Sequence, residues 1–168
     1  SGRLIAGYGA GGLAFVDPAG PRVAATIGLP AHPEGFQVAG GRVFVNLPDA
    51  GGIGVVDLKA GKLATLWPNR GRRWNFPLAI DPQSSAVAVV YRLPARLVLL
   101  DPSSGAERQA LPTCGDADDL FFDLHRPRLY VSCGDGHLDV LVRQGPGCTR
   151  LSLIATVQAR HMPGPRFL

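Results

Sequence analysis

The sequence is short of charge, of cysteine and of any long apolar run. Asp, Glu, Lys and Arg make up 18% of its 168 residues, against 46% hydrophobic residues. A chain this apolar and weakly charged can bury enough surface to fold, which excludes a disordered polymer. No stretch approaches the roughly 18 apolar residues of a membrane helix, so no membrane span is expected. Cysteine occurs only at 114, 133 and 148, too few for a disulfide scaffold and without zinc-type spacing. Cys114 and Cys148 read as free or buried thiols, and Cys133 has no evident histidine partner. Lysine is nearly missing: Lys59 and Lys62 stand against 15 arginines. The net charge of +4 is spread along the chain and argues for solubility, not for nucleic acid. Gly-x-Ser-x-Gly, His-Glu-x-x-His and Cys-x-x-Cys are all absent, so no catalytic residue is assigned and no cofactor or metal is expected. No basic segment leading into an apolar one is present, and any secretory leader is read as removed or never there.

Glycine and proline are abundant, at 22 and 15 residues, and they punctuate a repeat. Leu13 to Pro18, Ile53 to Leu58 and Leu97 to Pro102 are similar extended runs whose aspartates, Asp17, Asp57 and Asp101, lie 40 and then 44 positions apart. A fourth copy, Leu138 to Arg143, carries arginine where the others carry aspartate. Another apolar run precedes each copy and a third follows it, and three units open with an extra short run. Helical spacing is missing throughout. A period near 42 residues with four short strands per unit is the pattern of β-propeller blades. The expectation is all-β: a β-propeller built from about four four-stranded antiparallel blades, a single repeat domain spanning 1–168. The blades are placed at 3–28, 35–67, 75–111 and 118–155. The first unit begins at its second strand. The tail, 158–168, is placed to supply the missing inner strand or to pair with a second chain, although Pro163 and Pro165 suit neither role well.

Blade geometry sorts the loops onto two faces, and polar residues concentrate on one of them. The channel-mouth candidates for ligand binding there are His32, Glu34, Asn46, Asp49, Asn75, Arg92, Arg96, Asp118, Asp119 and Asp135. For His32 the bland expectation is a turn cap, and for Glu34 an arginine partner. Asp118 and Asp119 are adjacent carboxylates, but strand alternation lets only one face the channel. Asn75, before Phe76-Pro77, reads first as a turn signal. Arg92 and Arg96 flank a proline turn, where they grip an anion or pair with Asp118 or Asp135. Arg70, Arg72 and Arg73, with Trp67 and Trp74, form the densest basic and aromatic cluster. One loop without a wider basic surface reads as a solvated insertion, so no nucleic-acid partner is expected. Asp135 to Asp139 looks faintly metal-binding, but Asp-Gly is a hairpin turn signal. The literal G-x-G-x-x-G of Gly7 to Gly12 is followed by a strand-like run, not the helix that phosphate binding needs.

The segments Leu29 to Phe36, Arg42 to Asn46, Asn75 to Asp81, Arg92 to Arg96, Asp118 to Asp123 and Arg128 to Gly136 together resemble the bacterial YVTN-repeat β-propellers of the surface-layer and periplasmic type. The resemblance implies seven blades, about twice this length, an export signal and a periplasmic or secreted location, with no assigned activity. This chain departs from that pattern by stopping after about four blades, like a half-length or truncated member. A four-bladed closure, an open half-ring and a dimeric ring of eight blades remain, with a homodimer completing the ring preferred. The functional expectation is a non-enzymatic scaffold binding a small molecule or protein. The alternative is a metal-dependent, lactonase-like hydrolase using His32, Glu34, Asn75, Asp118 and Asp119. A truncated paralogue without a function of its own is the third possibility.

Overall fold

A computed structural model describes residues 2–20 and 22–158. Fifteen strands follow one another in four antiparallel sheets: β1 (Leu4–Tyr8), β2 (Gly12–Asp17) and β3 (Arg22–Gly28); β4 (Phe36–Ala39), β5 (Arg42–Leu47), β6 (Gly52–Asp57) and β7 (Lys62–Pro68); β8 (Arg73–Ile80), β9 (Val87–Leu93), β10 (Ala95–Leu100) and β11 (Glu107–Pro112); β12 (Ala117–Phe122), β13 (Arg128–Cys133), β14 (His137–Gln144) and β15 (Arg150–Gln158). Each strand pairs with its sequence neighbours, so every sheet is a meander. Among the described residues the first sheet has three strands and lacks an inner partner for β1. Gln158 ends β15, and the rest of the proposed closing tail, 159–168, lies outside the described residues.

The central strands are runs of Val, Leu, Ile and Ala, buried on both faces as β5, β6, β9 and β10 show. The reason is radial stacking. The inner strands β4 and β12 both pack against β8, and apolar layers fill the gaps between successive sheets. Leu13, Phe15, Val43 and Val56 lie between the first and second. Phe44, Ile53, Val89 and Val98 lie between the second and third. Ala88, Val90, Leu120, Leu129 and Leu141 lie between the third and fourth. Gly35 marks how tightly the blades meet: a Cβ there would stand 2.5 Å from the Phe76 carbonyl oxygen of the next sheet.

The repeated aspartate has a local job. Asp57 accepts the backbone N–H groups of Lys59 and Ala60, Asp101 those of Ser103 and Ser104, and Asp17 that of Ala19. Each closes the turn from the third to the fourth strand of its blade. A register shift sits just before the turn in all four blades, at Phe15/Val16, Val55/Val56, Leu99/Leu100 and Val140/Leu141, and such bulges add twist to the outer strands. Hydrogen bonds from the Ser103 hydroxyl, Arg108 and Ser104 hold the Asp101 carboxyl well below the usual carboxylate range. A lowered folded pKa stabilises the fold above the ordinary value of about 3.9 and loses that contribution as pH falls through the folded value. Urea titrations at stepped pH should therefore show stability declining below about pH 4, with Asp101→Asn flattening that decline.

Candidate functional site

The links into each first strand and the turns from second to third strand share one face, called upper here. Its candidate residues separate into buried organisers and exposed presenters. Asn46 and Asn75 are fully buried and meet: Asn75 Nδ2 donates to Asn46 Oδ1 (3.0 Å) and to the Gly52 carbonyl (3.0 Å). Asn69 Nδ2 donates to Asn75 Oδ1 at 2.7 Å, and Asn46 Nδ2 donates to the Phe76 carbonyl at 3.0 Å. This amide chain joins the second and third blades beneath the loops. Asn75 is therefore not a turn residue. It lies inside β8, where the register shift between Asn75 and Leu78 accommodates Pro77 and turns the amide inward.

Arg92 spans the third and fourth blades. Its Nε and Nη2 donate to the Ala117 carbonyl (3.2 and 2.9 Å), Nη2 also meets Asp118 Oδ1 (3.0 Å), and the guanidinium lies over the Phe76 ring. Asp118 remains 62% exposed, so this pair positions the loops more than it stabilises them. Asp118 and Asp119 are both exposed, contrary to simple alternation, because a register shift between Ala117 and Asp119 breaks the period. Asp119 accepts the Leu120 N–H. His32 donates from Nδ1 to the Gly9 carbonyl (2.6 Å), pinning the β3–β4 link to the β1–β2 turn. The Glu34 N–H bonds the Asn46 carbonyl, and its carboxylate has no ion-pair partner among the described residues. Arg96 is half-buried and bonds the Ala95 carbonyl. Asp135 pairs with His137 Nδ1. Asp49 is exposed on the Pro48–Ala50 turn. No three of His32, Glu34, Asp118 and Asp119 bring donor atoms within 4.8 Å of one another among the described residues.

The Arg70–Trp74 region changes most. Trp67 is not part of it: it is buried in β7 against Phe44, with ring centroids 5.5 Å apart. Arg72 is also engaged, paired with Glu107 at 2.8 Å and placed over the Tyr91 ring. Burial pushes that Tyr91 hydroxyl up to about 12. Arg70, Arg73 and Trp74 stay exposed around a groove of about 520 Å³ whose wall includes Pro48, Asp49 and Asn69. Trp74 is 51% exposed and adopts φ 60°, a backbone state that costs a bulky residue on the order of 1–3 kcal/mol and concentrates at functional sites. The Oδ1 of buried Asn69 has no hydrogen-bond partner at the groove floor. The sequence signal was the aromatic within an arginine loop; its backbone state was not readable there.

The cysteines are not all free. Cys114 and Cys133 are disulfide-bonded, and only Cys148 is free and buried. Cys114 lies on a link into a first strand and Cys133 on a second-to-third turn, so the shared face brings together residues 19 positions apart. Cys133 also has a histidine neighbour, His137. Burial, reinforced by Asp81, pushes the Cys148 thiol up to about 11, leaving little thiolate at neutral pH. On the lower face the fourth-blade departure from the repeat has a role. Arg143 pairs with Asp81 of the third blade, with the two side chains only 8% and 1% exposed.

These sheets define a β-propeller-type chain. Its upper face is a set of loops held by buried inter-blade hydrogen bonds. The solved structures it matches include a chain of the mitotic checkpoint complex (TM-score 0.77, 14% identity, 95% of this chain and 52% of that one). Sqt1 of Saccharomyces cerevisiae (0.74, 15%, 95% and 45%) and BamB of Moraxella catarrhalis (0.68, 14%, 93% and 45%) match similarly. All are propellers, and this chain spans about half the length of each. No family model and no curated protein matches. No described helix is long and apolar enough to cross a membrane.

Proposed function

We propose that this chain is a protein-binding propeller scaffold that takes acidic partner segments in the upper-face groove. The exposed, left-handed Trp74 carries the reading. Trp and Arg dominate binding hot spots, and Arg70 and Arg73 beside it have no ion-pair partner among the described residues. With Arg72 paired to Glu107, the groove wall holds two arginines unpaired among the described residues, Arg70 and Arg73, against one carboxylate, Asp49, which favours an acidic ligand. Panning a displayed peptide library on the whole chain should enrich acidic sequences. Their binding should fall about tenfold or more, a hot-spot loss of at least about 1.4 kcal/mol, on Trp74→Ala and be unchanged on the lower-face variant Leu124→Ala. Equal recovery on Trp74→Ala, or no acidic bias, contradicts the proposal.

We also propose that a second copy of this chain pairs with it to complete the ring. Supporting this, β1 has no inner partner among the described residues, and the two end sheets keep apolar side chains exposed: Leu4 and Val23 on the first, Phe121, stacked on Tyr130, on the fourth. Uncovered edges and faces invite pairing. The expected solution mass is twice 17.7 kDa, reduced by Phe121→Asp; a single-chain mass at micromolar concentration contradicts it. The disulfide supports an oxidising compartment, periplasmic or extracellular.

A further inference from the structure

We infer that Cys114, Cys133 and His137 form a redox-gated site for a zinc-class divalent cation, open when the disulfide is reduced and closed when it is oxidised. Both sulfurs and one imidazole nitrogen lie within 4.8 Å of one another. Metal–sulfur bonds of about 2.3 Å and metal–nitrogen bonds of about 2.0–2.1 Å place tetrahedral donors roughly 3.5–4 Å apart. The sulfurs need only separate from bonding to non-bonding distance to reach that spacing. Cys133 Sγ also belongs to a second group with carboxylate oxygens of Asp116 and Asp135, again within 4.8 Å. Two carboxylates therefore flank Cys133 beside the site.

The surroundings suit a cation. Cys133 ends β13 and His137 begins β14, so one tight turn presents both. That turn is fixed by Gly136 N–H to the Cys133 carbonyl (3.0 Å) and Gly134 N–H to the Asp116 carbonyl (3.2 Å). Asp135 pairs with His137 Nδ1, which leaves Nε2 for the cation; Asp139 Oδ1 stands 3.9 Å from Nε2, outside hydrogen-bond distance. Buried Asp139 is itself anchored by Thr156 (2.6 Å) and Thr113 (3.3 Å). Carboxylates that orient an imidazole in this way recur behind metal-ligating histidines. Asp135 is largely exposed and opens the site to the upper face.

The chemistry balances with a dithiol reductant. Two electrons and two protons from the dithiol convert the Cys114–Cys133 disulfide into two thiols, and the reductant becomes a disulfide. The cation then binds both thiolates as their two protons leave; exchange with a small-molecule disulfide, which takes up the two electrons and two protons to become a dithiol, re-forms the Cys114–Cys133 bond and releases it.

The test uses the full chain in a Cys148→Ala background, which removes the remaining thiol. After reduction and removal of reductant without oxygen, cobalt(II) is titrated in. The expected result is one cobalt per chain with a thiolate-to-cobalt charge-transfer band and the intense visible bands of a tetrahedral site, displaced by zinc. The oxidised chain should give none of these. Asp135→Asn should weaken binding about ten- to a hundredfold, and His137→Asn at least as much. No thiolate band, equal binding by the oxidised chain, unchanged affinity in both variants, or a β-sheet circular dichroism signal lost on reduction and not regained with metal would each overturn the proposal.

Discussion

Replacing Arg143 by alanine is expected to lower the unfolding free energy by about 4 kcal/mol, within the 3–5 kcal/mol typical of removing one partner from a buried ion pair. The loss follows from what stays behind. Asp81 is 1% exposed, and among the described residues its carboxylate accepts, apart from Arg143, only the Ser84 hydroxyl and, at 3.5 Å, the Gln83 N–H. Without the guanidinium a charge is stranded between the third and fourth blades. The double variant Asp81→Leu, Arg143→Met should recover most of the loss, because apolar side chains of similar volume often replace buried ion pairs without cost. Urea denaturation of the three proteins checks this. A loss under about 1 kcal/mol for the single variant, the size of an exposed pair, would show that the pair does not clamp the blades.

Asn75→Ala should cost about 3 kcal/mol, because it orphans Asn69 Nδ2, Asn46 Oδ1 and the Gly52 carbonyl in a fully buried setting. Asn69→Ala should cost only about 1 kcal/mol, since Asn69 Oδ1 already lacks a partner and one hydrogen bond is lost. The ordering is the sharper check. Equal costs in thermal or urea unfolding would mean that Asn75 is not the hub joining the second and third blades.

The repeat made the four sheets readable, because apolar runs bounded by Gly, Pro and Asp are local features and the recurring Asp closes a local turn. What escaped depends on neighbouring blades. Asn75 looks like a turn residue until a bulge turns it inward to Asn46, and Asp118 and Asp119 alternate until a bulge exposes both. Trp67 and Trp74 are alike in sequence, yet the first fills an inter-blade core and the second stands in solvent. The Cys114–Cys133 bond links two loops whose shared face was predictable and whose proximity was not. Arg143 was visible as a break in the repeat; only the packing of the next blade supplies Asp81.

Amide hydrogen exchange of the whole chain, with and without an acidic peptide selected against it, locates the proposed binding surface around Trp74. Added protection is expected across residues 48–51 and 69–75, with the lower turns at 81–86, 101–106 and 123–128 unchanged. Protection confined to the lower turns would contradict it.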